Sequence, residues 1–151
     1  MAYSARVFEP DQLLKGLADF RFELRRFLHF SESAATSAGL HPRQHQLLLQ
    51  VAGAAEGTVV TIAYAAARLG LKHNSAVELV HRSELQGLLK RNADPTDGRR
   101  AILRITRKGR KILARLSGDH ARELTELAPR LIEALQHIRL HSRSAAREGK
   151  E

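Results

Sequence analysis

A short polar turn between two β-type runs is the feature of this sequence that most limits its fold. Residues 94–99 read DPTDGR, and they lie between the pair Leu88-Leu89 and the run AILRI at 101–105. Asp, Pro and Gly favour a tight turn, and the alternation of side chains in the following run favours a strand. The rest of the chain has helical spacing, so we expect one small hairpin within a helical protein.

Apolar residues spaced by three and four positions predict three helices in the first half of the chain. The first begins near Pro10, and the second covers roughly residues 42–52. The third begins at Thr61, a residue type that caps helix N-termini, and ends at Gly70. The first helix is apolar on more than one side, which indicates that a partner subunit covers part of it.

A fourth helix follows the third after a short link, a spacing that fits a helix-turn-helix. We expect Asn74 or Ser75 to cap this fourth helix. Leu85 is expected to be the last residue of its buried apolar face. After the hairpin, Thr106 is placed to cap a further helix, and Pro129 opens or kinks a last one.

The positive charge of the chain is concentrated in one stretch. Residues 68–115 hold 13 of the 25 Lys and Arg residues and only four of the 16 acidic residues, so this stretch carries the whole net charge of +9. Such a concentrated surplus is typical of a surface that binds a polyanion. We expect these side chains to form a single face.

Composition and motifs argue against several other classes of function. The chain has no Cys, which rules out disulfides and thiolate metal sites. It lacks an apolar run of membrane-spanning length and a signal-peptide pattern, so we expect a cytoplasmic protein with no membrane partner. No nucleophile elbow or phosphate-binding Gly loop is present, so we expect neither an enzyme nor a cofactor.

Two His pairs have the spacing of metal ligands on a helix. They are His41 with His45 and His137 with His141, each four residues apart. Two ligands do not make a metal site, and there is no Cys to complete one. We expect no metal.

The order of elements predicts a winged helix-turn-helix. In this architecture the second helix of the motif enters the major groove of DNA, and the hairpin reaches a neighbouring minor groove. Arg99 at the tip of the hairpin is expected to enter that minor groove. Strand alternation turns Arg100 away from Arg99, so we expect Arg100 to contact a backbone phosphate. Asp97 either holds a basic side chain or shapes the turn.

The start of the fourth helix supplies the other predicted DNA contacts. A helix N-terminus presents N–H groups that suit phosphate, and side chains there can reach base edges. The residues expected to contact DNA from this helix are Lys72, His73, Asn74, Ser75 and Arg82.

The chain also resembles the MarR family of transcriptional regulators. The resemblance is carried by GLHPRQHQLLL (39–49), TIAYAAARLGLKHNSAVELVHR (61–82), GLLKRNADPTDGRRAILRIT (87–106) and RKGRKIL (107–113). It implies a mainly α fold with a small two- to three-stranded β-wing. The winged helix-turn-helix lobe would cover 39–118, and helices for dimerisation would cover 1–38 and 119–151.

The resemblance further implies a homodimer that represses genes from a pseudo-palindromic operator and responds to a small aromatic or phenolic effector. The implied effector pocket would have His41, Arg43, His45 and Tyr64 as neighbours. His41 stands where the family often has Thr or Ser, so we expect a weaker N-cap on the second helix.

Two alternatives remain open. One is a constitutive DNA-binding protein without an effector. The other is an RNA-binding module, although RNA binders usually stack bases on aromatic side chains and residues 68–115 contain no Phe, Tyr or Trp.

Overall fold

The computed structural model describes the backbone of residues 11–148 and the side chains of residues 11–142. In chain order, the elements are α1 (Gln12–Ser37), α2 (Pro42–Ala52), α3 (Ile62–Leu69), α4 (His73–Leu85), β1 (Leu89–Ala93), β2 (Ala101–Ile105) and α5 (Arg107–Glu148). The predicted fold class, mainly α with a small antiparallel hairpin, is confirmed. Pro10, expected near the first helix start, and the outer ends of the predicted dimerisation region lie outside the described residues.

The described residues divide into two compact units. Residues 11–30 and 121–148 form the helical unit, and residues 31–120 form the lobe. Both α1 and α5 contribute one segment to each unit.

The lobe is built around one apolar core. Leu47 and Leu48 of α2, Val80 of α4 and Leu103 of β2 are almost fully buried in it. The core is completed by Ala35, Leu40, Val51, Val60, Ala65, Leu79, Leu88, Leu89, Leu113 and Leu116. Because α4 and the hairpin share this close-packed core, apolar packing fixes their relative positions.

The hairpin forms with the register Leu89↔Ile105 to Ala93↔Ala101, and we call residues 89–105 the wing. A single-residue bridge joins Thr61 to Ile102, and the Leu103 N–H donates to the Val60 carbonyl at 2.8 Å. The wing is therefore two strands plus one bridging residue, which attaches it to the chain just before α3.

Side-chain caps explain where α2 and α3 begin. The His41 ring accepts from the Arg43 N–H at 3.2 Å, and the Gln44 side chain accepts from the His41 N–H at 3.0 Å. His41 therefore forms a capping box with Gln44 at the start of α2. The Thr61 hydroxyl caps α3 as predicted, and Gly70 ends it in the left-handed conformation.

α4 departs from prediction at both ends. Lys72 is its N-cap residue and has no side-chain cap, so the predicted cap by Asn74 or Ser75 is wrong. The N–H of Leu71 already closes the end of α3 on the Ala66 carbonyl, which lets α4 begin at once. Leu85, the last residue of α4, is 74% exposed rather than buried.

α5 is one continuous helix, so Pro129 does not open a separate last helix, which was one of the two alternatives that the sequence left. An interior Pro costs about 3 kcal/mol because it removes a hydrogen bond and crowds the preceding turn. Leu127 and Ala134, on either side of it, are buried, and Arg130 lies 3.1 Å from Glu23 of α1. These tertiary contacts hold α5 together across the Pro.

Within the helical unit, α1 and α5 approach closely at a glycine. A Cβ on Gly16 would lie 3.0 Å from the Ile138 side chain, a contact tighter than most side chains make. Glu23 is the buried acid of this unit, and its carboxylate lies 3.4 Å from Arg26 and 3.1 Å from Arg130.

The helical unit also presents large apolar side chains to solvent. They are Leu14, Leu17, Phe22, Leu28, Leu124, Ile132, Leu135 and Leu140. None of the helices in the described chain combines the length and apolar character needed to span a bilayer.

The start of α5 is joined to the turn between α4 and β1. The Thr106 hydroxyl donates to the Gly87 carbonyl at 2.6 Å, and the Lys108 ammonium donates to the Gln86 carbonyl at 2.8 Å. Gly109 follows in the first turn of α5, where a Cβ would overlap the Leu88 carbonyl oxygen.

Gly109→Ala is therefore expected to destabilise the protein by about 1–3 kcal/mol, the usual cost of forcing atoms into a packed site. Urea denaturation followed by circular dichroism measures the change. Gly98→Ala is the matched control, since a Cβ at Gly98 meets nothing within 4 Å. Equal stability of the two variants would contradict the close approach at Gly109.

Candidate nucleic-acid interface

The first turn of α4 is the part of the helix-turn-helix most open to a ligand. Its four predicted contact residues are all exposed: Lys72, His73, Asn74 and Ser75. No side chain in the described structure caps this end, so the N–H groups of the first turn can donate to a ligand. The exposed N-terminus of α4 therefore combines backbone donors with a cationic side chain.

Arg82 lies two turns further along α4. Its guanidinium is 3.3 Å from the Glu78 carboxylate, and about two thirds or more of each side chain is exposed. Exposed pairs of this kind contribute about 0–1 kcal/mol, so Arg82 can exchange Glu78 for another anion at little cost.

The two arginines of the wing have different surroundings. Arg99 donates its backbone N–H to the Asp97 carboxylate at 3.1 Å, and its guanidinium has no partner among the described residues. Arg100 instead directs its guanidinium to Asp94, with Nε at 3.1 Å and Nη2 at 2.7 Å from the same oxygen. Both options left open for Asp97 occur: it shapes the turn at Arg99 and lies 3.8 Å from Nε of Arg100.

Asp94 is the buried acid of the wing, and only 5% of it is exposed. Its other carboxylate oxygen accepts from the Thr96 N–H at 2.8 Å and from the Thr96 hydroxyl at 2.7 Å. These two bonds, and then the Arg100 guanidinium, lower the pKa of the Asp94 carboxyl from 3.8 to about 2, against the opposing effect of burial.

A second ion pair holds the base of the wing to α4. The Glu84 carboxylate accepts from the backbone N–H of Arg91 at 3.1 Å and from its Nε at 3.0 Å. The backbone bond from Arg91 is the main cause that lowers the pKa of Glu84. Sequence reasoning missed this pair and the Asp94–Arg100 pair, because neither has the regular spacing of a helix or strand.

The basic stretch is exposed and largely unneutralised. All 13 of its Lys and Arg residues are exposed. Its four acids pair within the stretch, with Arg82, Arg91 and Arg100. The other ten basic side chains have no acidic partner in the described part of the chain.

A cavity of about 510 Å³ lies beside α4 in the lobe. Its lining residues are His41, Arg43, Gln44, Leu71, Ser75, Glu78, Leu79, Arg82 and Gln86. Of the four predicted pocket residues, the structure brings His41 and Arg43 to this cavity, while His45 and Tyr64 are not part of its lining. Tyr64 is half-buried and packs against the apolar core.

His45 is buried beside His120, with ring centroids 4.8 Å apart. Burial lowers the pKa of His45, and the neighbouring imidazole lowers it further. The rings of His137 and His141 also lie together, at 4.5 Å. No group of three or more potential metal ligands occurs among the described residues.

Sequence comparisons identify the family. A sequence model of the MarR family matches residues 38–100, which cover α2, α3, α4 and much of the wing. A Thauera aromatica protein named "Putative transcriptional regulatory protein for hcr operon" is 30% identical over 118 residues, covering 75% of this chain and 69% of that protein. The chain belongs to the MarR family. It is a transcription regulator with a winged helix fold.

Solved structures of MarR family proteins share this fold. A MarR family transcription regulator matches with a TM-score of 0.71 at 20% identity, covering 93% of this chain and 95% of that chain. A MepR variant of S. aureus, bound to an oligodeoxyribonucleotide, matches with a TM-score of 0.62 at 16% identity, covering 87% and 95%. CouR from Rhodococcus jostii RHA1, bound to p-coumaroyl-CoA, matches with a TM-score of 0.58 at 26% identity, covering 75% and 83%.

The lowered pKa of Asp94 predicts a pH dependence of stability in this MarR family protein. A carboxyl whose pKa is lower in the folded than in the unfolded state stabilises the fold fully above its unfolded pKa. That contribution is lost as the pH falls from about 3.8 towards 2. Asp94→Asn should therefore flatten the fall of unfolding free energy in this range, measured by urea denaturation at a series of pH values. An unchanged slope would contradict the shift.

Proposed function

We propose that this MarR family protein is a homodimeric, ligand-responsive repressor that binds a pseudo-palindromic site in double-stranded DNA. The observation that carries the proposal is the exposed basic stretch of the lobe, in which ten Lys and Arg residues have no acidic partner among the described residues. Such a surface fits the regularly charged backbone of a duplex.

In this proposal, α4 enters the major groove. Lys72, His73, Asn74 and Ser75 at its exposed start contact phosphates and base edges, and Arg82 exchanges Glu78 for a phosphate. Arg99 enters the adjacent minor groove, because it stands at the wing tip with an unpaired guanidinium. The MepR variant, which shares this fold, is bound to an oligodeoxyribonucleotide, and this supports DNA as the ligand.

The exposed apolar side chains of the helical unit support a homodimer. Eight large apolar side chains of α1 and α5 are exposed there, and covering them with a second copy of the chain would remove apolar surface from water. A two-fold dimer presents two copies of α4, so its DNA site would have two related halves. Analytical ultracentrifugation should give twice the mass of the chain.

The cavity beside α4 supports a response to a small effector. Arg43 and Arg82 supply positive charge, and Leu71 and Leu79 supply apolar contact, a combination that suits an aromatic acid. Ser75 and Arg82 both line this cavity and belong to the proposed DNA contacts. An occupant would therefore compete with DNA for these side chains, which favours release. The CouR complex with p-coumaroyl-CoA supports an effector with an aromatic acyl group.

Three binding experiments test the proposal. We propose that the protein is cytoplasmic, so the binding experiments use neutral pH and fixed salt. Selection of bound fragments from genomic DNA should then enrich pseudo-palindromic sites. Competition between duplex DNA and structured RNA should favour the duplex, and preference for RNA would contradict the proposal. Titration of aromatic acids into the DNA complex should release the protein, whereas a constitutive regulator would stay bound throughout.

Arg99→Ala is expected to weaken binding to the selected duplex by roughly 1–3 kcal/mol, the usual loss for a specific contact. Its thermal stability should stay unchanged, because the Arg99 guanidinium has no partner to lose within the described chain. Fluorescence anisotropy at constant salt measures the affinity. Arg21→Ala, which removes an exposed charge from α1, serves as the control. Equal affinities of the two variants would reject the role of Arg99.

A further inference from the structure

We propose that Arg100 is a positioning residue of the wing, whose ion pair with buried Asp94 fixes the turn that presents Arg99 to DNA. This inference rests on the proposed DNA-binding function and assigns different roles to two adjacent arginines. It replaces the phosphate contact that strand alternation predicts for Arg100.

The ion pair closes the base of the turn through both side chains and backbones. Two nitrogens of the Arg100 guanidinium contact one oxygen of Asp94, at 3.1 and 2.7 Å. The Asp94 N–H also donates to the Arg100 carbonyl at 3.1 Å, one step beyond the last ladder pair, Ala93↔Ala101. We call this double connection the wing ion pair.

Hydrogen bonds inside the turn extend this order to its tip. The Arg100 N–H donates to the Asp97 carbonyl at 3.0 Å, and the Arg99 N–H donates to the Asp97 carboxylate at 3.1 Å. On the other side, Thr96 donates twice to Asp94. Hydrogen bonds to Asp97 from the N–H groups of Arg99 and Arg100 therefore fix the backbone at the tip, while the Arg99 guanidinium has no partner among the described residues.

The burial of Asp94 decides where Arg100 stays. The Asp94 side chain is 3% exposed and that of Arg100 is 47% exposed. Removing a partner from a buried carboxylate leaves a desolvated charge, which costs far more than separating an exposed pair. By contrast, the Arg82–Glu78 pair is exposed on both sides and can open at little cost. Separating Arg100 from Asp94 therefore costs more than separating Arg82 from Glu78.

Asp94→Asn tests whether Asp94 positions the wing or only adds negative charge, because the two roles predict opposite changes in affinity for the duplex. If Asp94 contributed only negative charge, its loss would tighten binding to a polyanion. The wing ion pair predicts the opposite: about tenfold weaker binding to the selected duplex, because Arg99 loses its fixed position. Glu56→Gln, which removes an exposed acid elsewhere in the lobe, is the matched control and should bind as tightly as the unaltered protein or slightly more tightly. Tighter binding by Asp94→Asn would overturn the proposal.

Variants of Arg100 separate positioning from phosphate contact. Arg100→Lys keeps the charge but loses the two-pronged contact, so it should also bind about tenfold more weakly with an unchanged salt slope. Combining Asp94→Asn with Arg100→Lys should weaken binding no further than either change alone, since both break the same contact. Normal binding by Arg100→Lys, together with a salt slope lower by about 0.9 in Arg100→Gln, would instead show a phosphate contact and overturn the proposal.

Hydrogen exchange of the free protein tests the wing ion pair without DNA. Asp94→Asn and Arg100→Lys should each speed exchange of the Arg99 and Arg100 amides at least severalfold, while the amide of Leu103 in β2 stays protected. Unchanged exchange at Arg99 and Arg100 would overturn the proposal. Failure of the unaltered protein to bind any duplex, with exchange behaving as expected, would instead count against the proposed DNA-binding function alone.

Discussion

The apolar core shared by α4 and the wing is the constraint on which the rest of the lobe depends. Val80 of α4, Leu89 of β1 and Leu103 of β2 are buried in the same cluster. A close-packed core leaves neither element free to shift without opening a cavity. Our proposal places α4 and the wing in neighbouring grooves of one duplex, and that arrangement requires such a fixed separation.

The distribution of acids shows how the basic surface keeps both its shape and its charge. Glu84 of α4 binds Arg91 and so holds the base of the wing to α4. Asp94 binds Arg100 and so closes the turn of the wing. Most of the surrounding cations remain without acidic partners in the described chain. The acids of this stretch therefore order the wing while leaving enough positive charge for a polyanion.

Much of the fold followed from local patterns, and the departures have physical causes. Thr61, Gly70 and the DPTDGR turn lie where residue preferences predicted, because caps and turns depend on a few adjacent residues. α4 begins earlier than its polar residues suggested, because the end of α3 is closed by a bond from Leu71. α5 continues through Pro129, because packing in the helical unit outweighs the local cost. The cavity beside α4 was only partly foreseen, since its residues come from separate elements.

The sequence by itself determined the helical class, the hairpin and the concentration of charge, since each depends on composition or on spacing within a few residues. Tertiary structure alone decided which of two adjacent arginines is free. Arg99 and Arg100 are the same residue type at adjacent positions. The buried Asp94 carboxylate binds the guanidinium of Arg100, whereas that of Arg99 is unpaired among the described residues. That difference depends on how deeply a carboxylate is desolvated, a property that exists only after the chain has packed.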